Sequence, residues 1–77
     1  MKAEYKDKYK MLGLNIAYYR KLRGYTQESL AEKIGIDQTH MSKIEIASVG
    51  ISLDVYFSIC KALDVEPSKL MEFREKN

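Results

Sequence analysis

QESLAEKIGIDQTHMSKIEI, residues 27–46, is the stretch whose reading decides how this chain folds. Leu30, Ala31 and Ile34 recur at one-, three- and four-residue steps, so they share one face of a short helix. Ala31 is small enough for a second helix to approach closely. Gly35 follows at once and is free to take the left-handed conformation that ends a helix. Ile36 then plugs the turn, and Asp37 is placed to cap a new helix in which Met41 and Ile44 repeat the inward step. Two short helices joined by a tight turn are therefore expected.

The second helix of this helix-turn-helix presents Gln38, Thr39, Ser42 and Lys43 outward. Their hydrogen-bonding groups suit base edges and phosphates. Glutamine can address adenine through N6 and N7, and Gln38 lies in the first turn, the part of such a helix that enters a groove. Thr39 offers a methyl for thymine and a hydroxyl for phosphate. Lys43 is the one permanent cation on this helix. A DNA-reading surface is the expectation.

Working outward, Leu12, Ile16 and Tyr19 mark a long first helix from about Lys6 to Arg23, stopped by Gly24. Thr26 caps the helix at about Gln27 to Ile34, and Asp37 the one at about Gln38 to Ile46. After an uncharged loop, Ala47 to Gly50, Ser52 caps a fourth helix ending near Leu63. Tyr56, Ile59, Cys60 and Leu63 form its i, i+3, i+4, i+7 stripe. Pro67, suited to a first helical position, opens a fifth that carries Leu70 and Met71. Period-two alternation and hairpin turns are absent, so the fold class is all-α with five helices. Nothing in the composition divides the chain. Residues 1–10 form a basic N-terminal extension or the start of helix one, 11–72 the helical domain and 73–77 a short tail.

Seventy-seven residues suffice for one domain, and 45% apolar with 31% charged residues indicates a folded chain. The net charge of +2 hides a polarity. Residues 1–23 carry seven basic side chains against two acidic ones, and residues 24–77 six against nine, which would orient the molecule on a polyanion. The N-terminal Lys/Tyr interleaving (Lys2, Tyr5, Lys6, Lys8, Tyr9, Lys10) fits an arm wrapping a duplex or an extended first helix packed on the body. Lys21 and Arg23 are candidate phosphate contacts. Cys60, the single cysteine, reads as a small buried hydrophobe. No apolar run reaches membrane-spanning length and none follows the basic N-terminus, so a cytoplasmic location is expected. His40 lacks cysteine or carboxylate neighbours in metal-ligand spacing. Gly-rich phosphate loops and nucleophile–base arrangements are also lacking. Neither enzymatic activity, metal, cofactor nor small-molecule ligand is expected.

Several elements together make the chain resemble the Xre/Cro-like helix-turn-helix family of phage and bacterial single-domain regulators. They are Leu12-Gly13, Arg20, Gly24-Tyr25-Thr26-Gln27, Leu30-Ala31, Ile34-Gly35-Ile36, Ile44-Glu45 and Ile59 to Val65 with Leu70. The resemblance spans about residues 12–71 and implies a lambda-repressor-like fold and a transcriptional regulator, a repressor, of double-stranded DNA. It assigns Gln27 a phosphate contact and a brace on the recognition helix. It places Gln38, Thr39, Ser42 and Lys43 in the major groove, and it makes Arg20 and Glu45 a structural ion pair. His40, lacking ligand partners, reads separately as an exposed histidine close to the DNA backbone.

Two departures stand out. The loop Ile46-Ala47-Ser48-Val49-Gly50-Ile51 lacks the polar, often basic stretch of the family and is free to serve a protein interface. Asp64 replaces the glycine that usually ends helix four. Ile51, Val55, Phe57 and Phe73 exceed what the core stripes require, and with the family's two-fold dimers they imply a homodimer through helices four and five. A protein-interaction module of the same fold with weak or no DNA binding is the competing reading. Phage repressor, antitoxin and restriction-modification controller are not separated by sequence.

Overall fold

Capping chemistry sets the element boundaries. In the computed structural model, which describes residues 1–73, a 3-10 turn at Ala3–Tyr5 leads into α1, Lys6–Leu22. Helices α2 (Gln27–Ile34), α3 (Gln38–Glu45), α4 (Leu53–Leu63) and α5 (Pro67–Leu70) follow. The Thr26 hydroxyl accepts the Ser29 amide at 3.0 Å and the Ser29 hydroxyl accepts the Thr26 amide at 2.9 Å, a reciprocal capping box opening α2. Asp37 Oδ1 accepts the His40 amide at 2.7 Å to open α3, and Ser52 Oγ accepts the Val55 amide at 3.1 Å to open α4. Lys6 to Lys10 are thus the first turns of α1, and of the expected tail 73–77 all but Phe73 lies outside the described residues.

Between α2 and α3 the chain reverses through Gly35 (φ 81°, ψ 27°). The Ile36 amide reaches back to the Ala31 carbonyl and the Gly35 amide to that of Glu32, the paired bonds of a left-handed helix end. Asp64 does the same at the end of α4 (φ 53°, ψ 52°), so this departure from the family pattern is accommodated by an aspartate in the left-handed region.

One core joins all five helices. Leu12 and Ile16 of α1, Leu30 and Ala31 of α2, Met41 and Ile44 of α3, Ile59 and Leu63 of α4 and Leu70 of α5 are buried together. Removing apolar surface from water at about 25 cal/mol per Å² is what holds helices this short, which would be marginal alone. Cys60 lies in the same cluster. Polar brackets tie the last helix on. Asn15 Nδ2 donates to the carbonyls of Leu70 (2.8 Å) and Glu72 (3.0 Å), and the Tyr56 hydroxyl donates to the Pro67 carbonyl.

Gly13 sits where α1 crosses α3. A Cβ there would lie 2.3 Å from the Glu45 carbonyl oxygen and 2.8 Å from its carbon. Backbone cannot yield as a side chain can, so the crossing distance exists because residue 13 has no side chain.

The post-recognition loop is not spare surface. Ala47 is fully buried at φ 60°, Val49 and Ile51 pack against the core, and Ile46 and Ser48 are exposed. Burial within the chain accounts for most of its apolar character.

Candidate nucleic-acid interface

The amphipathic pattern of α3 divides it cleanly. Met41, Ile44 and Glu45 are buried, whereas Gln38, Thr39 and Lys43 are exposed and Ser42 is half-buried. At 100° per residue, Gln38, Thr39, Ser42 and Lys43 fall within one 140° sector. His40 is half-buried and not exposed as expected, because it lies two residues and hence about 200° from Gln38, turned towards the packed side of α3. The fold therefore brings four of the five expected α3 residues onto one face and sets His40 on its flank.

What aims this face is a polar network at the C-terminal end of α3. Arg20 Nε donates to Glu45 Oε2 at 2.7 Å and Nη2 to Oε1 at 3.1 Å, a two-point pairing. Its Nη1 donates to the Tyr25 carbonyl at 2.9 Å. Gln27 Nε2 donates to Glu45 Oε1 at 3.0 Å. Arg20 and Glu45 are each 8% exposed, and among the described residues no buried side-chain polar atom lacks a partner. A carboxylate at a helix C-terminus opposes the helix dipole, and the guanidinium offsets this. The network fixes α3 against both α1 and the first residue of α2. Gln27 is half-buried, and its amide nitrogen gives one hydrogen to Glu45 and keeps a second for another acceptor.

The cations are distributed unevenly. Lys21 and Lys43 are exposed. Arg23 Nε donates to the Leu63 carbonyl at 2.8 Å and Nη2 to the Asp64 carbonyl at 3.4 Å, so its guanidinium fastens α1 to the end of α4. Sequence reasoning gave it no such role, since a guanidinium seeking carbonyls 40 residues away leaves no local pattern. Lys6 Nζ likewise donates to the Ala47 carbonyl. For the same reason Asn15 carries no signal in the sequence, and the Tyr56 hydrogen bond to Pro67 and the close approach at Gly13 are not marked by the patterns in which those two residues stand.

Of the residues expected at a dimer face, Ile51, Val55 and Phe73 are half-buried against the chain's own core. Phe57 is 51% exposed, and Leu53, one turn before it on α4, is 67% exposed although no sequence pattern marks it. Among the described residues no group of histidine, cysteine or acidic side chains is arranged to hold a metal, and no helix is long and apolar enough to cross a membrane.

Comparison with known proteins agrees with this geometry. A helix-turn-helix family model, HTH_3, matches residues 16–70. Control protein C.SmaI of Serratia marcescens is 30% identical over 61 residues, covering 79% of this chain and 73% of that protein. Among solved structures, the restriction-modification controller protein C.AhdI from Aeromonas hydrophila superposes with a TM-score of 0.83 at 27% identity, over 87% of this chain and 97% of that one. The N-terminal DNA binding domain of SinR from Bacillus subtilis gives 0.77 at 31% identity, over 86% and 97%.

Proposed function

The chain belongs to the HTH_3 helix-turn-helix family and is a DNA-binding transcriptional regulator; we propose that it reads a two-fold symmetric operator as a homodimer, with α3 in the major groove. The observation that carries the reading is the polar face Gln38–Thr39–Ser42–Lys43, exposed except for half-buried Ser42, on a helix whose other side is anchored by Met41, Ile44 and Glu45. In this arrangement Gln38 and Thr39 address base edges, Ser42 and Lys43 the next turn and the adjacent phosphates, and Gln27 offers its amide to a phosphate while holding Glu45. Lys21 adds a long-range attraction. His40 stays beside the backbone.

For the homodimer, Phe57 and Leu53, exposed on one face of α4, supply the apolar contact, while Ile51, Val55 and Phe73 are half-buried against the chain's own core. Two-fold copies then present two α3 helices to half-sites about one helical turn apart. Occupancy of the operator in the cytoplasm is the means of control, with repression as its sense. The likeness to C.SmaI and C.AhdI favours a controller of restriction-modification genes over a phage repressor or antitoxin.

Selection of bound fragments from random duplex DNA tests the proposal directly. A palindromic consensus with half-sites about one turn apart is expected, and affinity should fall steeply with salt. Recovery of no consensus, with self-association or partner binding indifferent to DNA, refutes it.

A further inference from the structure

Ahead of the family match at residue 16, α1 makes three contacts with the segment that ends the recognition helix. Lys6 Nζ donates to the Ala47 carbonyl. The Tyr9 ring packs beside Gly50, its hydroxyl 3.9 Å from where a Cβ would stand. Gly13 receives the Glu45 carbonyl at close range. Residues 6, 9 and 13 share one face of α1, spread over about two turns or ~10 Å. The segment they meet closes α3 in a left-handed turn: the Ala47 amide bonds to the Ile44 carbonyl at 3.1 Å and the Ser48 amide to the Lys43 carbonyl at 2.9 Å. Ala47 holds φ 60° without being glycine, a conformation that side chains disfavour and that the surroundings must impose.

From these contacts we infer that Lys6 is a positioning residue for DNA recognition: its ammonium latches the carbonyl of Ala47 and so fixes where α3 ends and how its polar face is presented. The inference rests on the reading of α3 as the recognition helix. A cation at the carbonyl end of α3 also complements the helix dipole, which an amide donor would do less well. Lys6 is half-buried beneath this loop, unlike exposed Lys8 and Lys10. Its charge serves the loop. The basic N-terminus thus divides into one lysine that braces and others that face solvent.

The test compares the parent with Lys6→Met, Lys6→Arg and Lys8→Met, the last removing an equal charge from an exposed position. Hydrogen exchange of the Ala47 and Ser48 amides is read without DNA, and binding to a selected and to a mixed-sequence duplex is titrated across salt. Loss of one charge-assisted hydrogen bond is expected to speed exchange at Ala47 and Ser48 about tenfold in Lys6→Met, while α4 amides are unchanged. The affinity ratio of selected to mixed duplex should fall about tenfold, with the salt slope kept, and Lys6→Arg should restore both. Lys8→Met should move neither the exchange rates nor the ratio. Equal loss on both duplexes with a slope smaller by about one makes Lys6 a phosphate contact and overturns the proposal. Unchanged exchange at Ala47 and Ser48 overturns it too, as does a lower melting temperature with the ratio intact. Should the parent itself fail to discriminate duplexes, the recognition-helix reading fails, while the exchange data still report whether Lys6 holds the loop.

Discussion

Replacing Arg20 with methionine removes three donated hydrogen bonds, two to Glu45 and one to the Tyr25 carbonyl. Glu45 keeps the Gln27 amide as a partner, at 8% exposure. Its carboxylate is then a nearly buried charge with one neutral donor. Stranding a buried partner in this way costs about 3–5 kcal/mol, far above the worth of an exposed pair. A chain this size has a total stability of roughly 4–12 kcal/mol, so Arg20→Met removes a large share of it, and a sizeable unfolded fraction at 25 °C follows where the parent lies at the low end of that range. At about 4–8 °C per kcal/mol, melting followed by circular dichroism should drop by at least ~12 °C. The double variant Arg20→Met/Glu45→Met strands no charge. It should recover most of the loss, retaining a deficit of about 1–2 kcal/mol from the unpartnered Tyr25 carbonyl. It should bind a selected duplex more weakly than the parent even when fully folded, because α3 has lost its brace. A single Arg20→Met variant that melts with the parent would show the pair to be solvated, and the account of how α3 is aimed would fail with it.

Other perturbations separate the roles of neighbouring groups. Gln38→Ala should cost about 1–3 kcal/mol on a selected duplex and relax choice at one base position, read by competition with single-base variants. Lys43→Ala should instead weaken every sequence and reduce the salt slope by about one in fluorescence titrations. Gly13→Ala drives a methyl into the Glu45 backbone and should destabilise the fold by about 1–3 kcal/mol in urea titration, with no charge altered. Burial, and then neighbouring Cys60, push the Tyr56 phenol from the ordinary 10.0 up to about 12. The folded state thus holds this proton more tightly than the unfolded chain, so its stabilisation is complete below pH 10.0 and lost towards about 12; Tyr56→Phe should flatten that part of the stability–pH curve. Leu53→Glu with Phe57→Glu should yield a monomer by sedimentation that melts like the dissociated parent; an unchanged mass would move the interface elsewhere.

Local chemistry made much of this molecule legible as a sequence. Caps at Thr26, Asp37 and Ser52, a helix stop at Gly35 and periodic apolar stripes are short-range signals, each decided by the few residues around it. The same holds for the polar face of α3, since helix geometry alone sorts Gln38, Thr39, Ser42 and Lys43 from Met41 and Ile44. The partnership of Arg20 with Glu45 was readable through family resemblance, although its bidentate form and the Gln27 bridge are tertiary.

Packing decided the rest. Whether the basic N-terminus is an arm or a helix, whether Arg23 meets phosphate or a carbonyl 40 residues away, and why residue 13 lacks a side chain are questions about distant backbone. The apolar loop after α3 reads as spare surface in one dimension and lies largely against the core in three. Sequence periodicity reports which side of an element is apolar. It carries no record of which carbonyl, left over at the far end of another helix, a long cationic side chain will find, because that depends on how the helices cross.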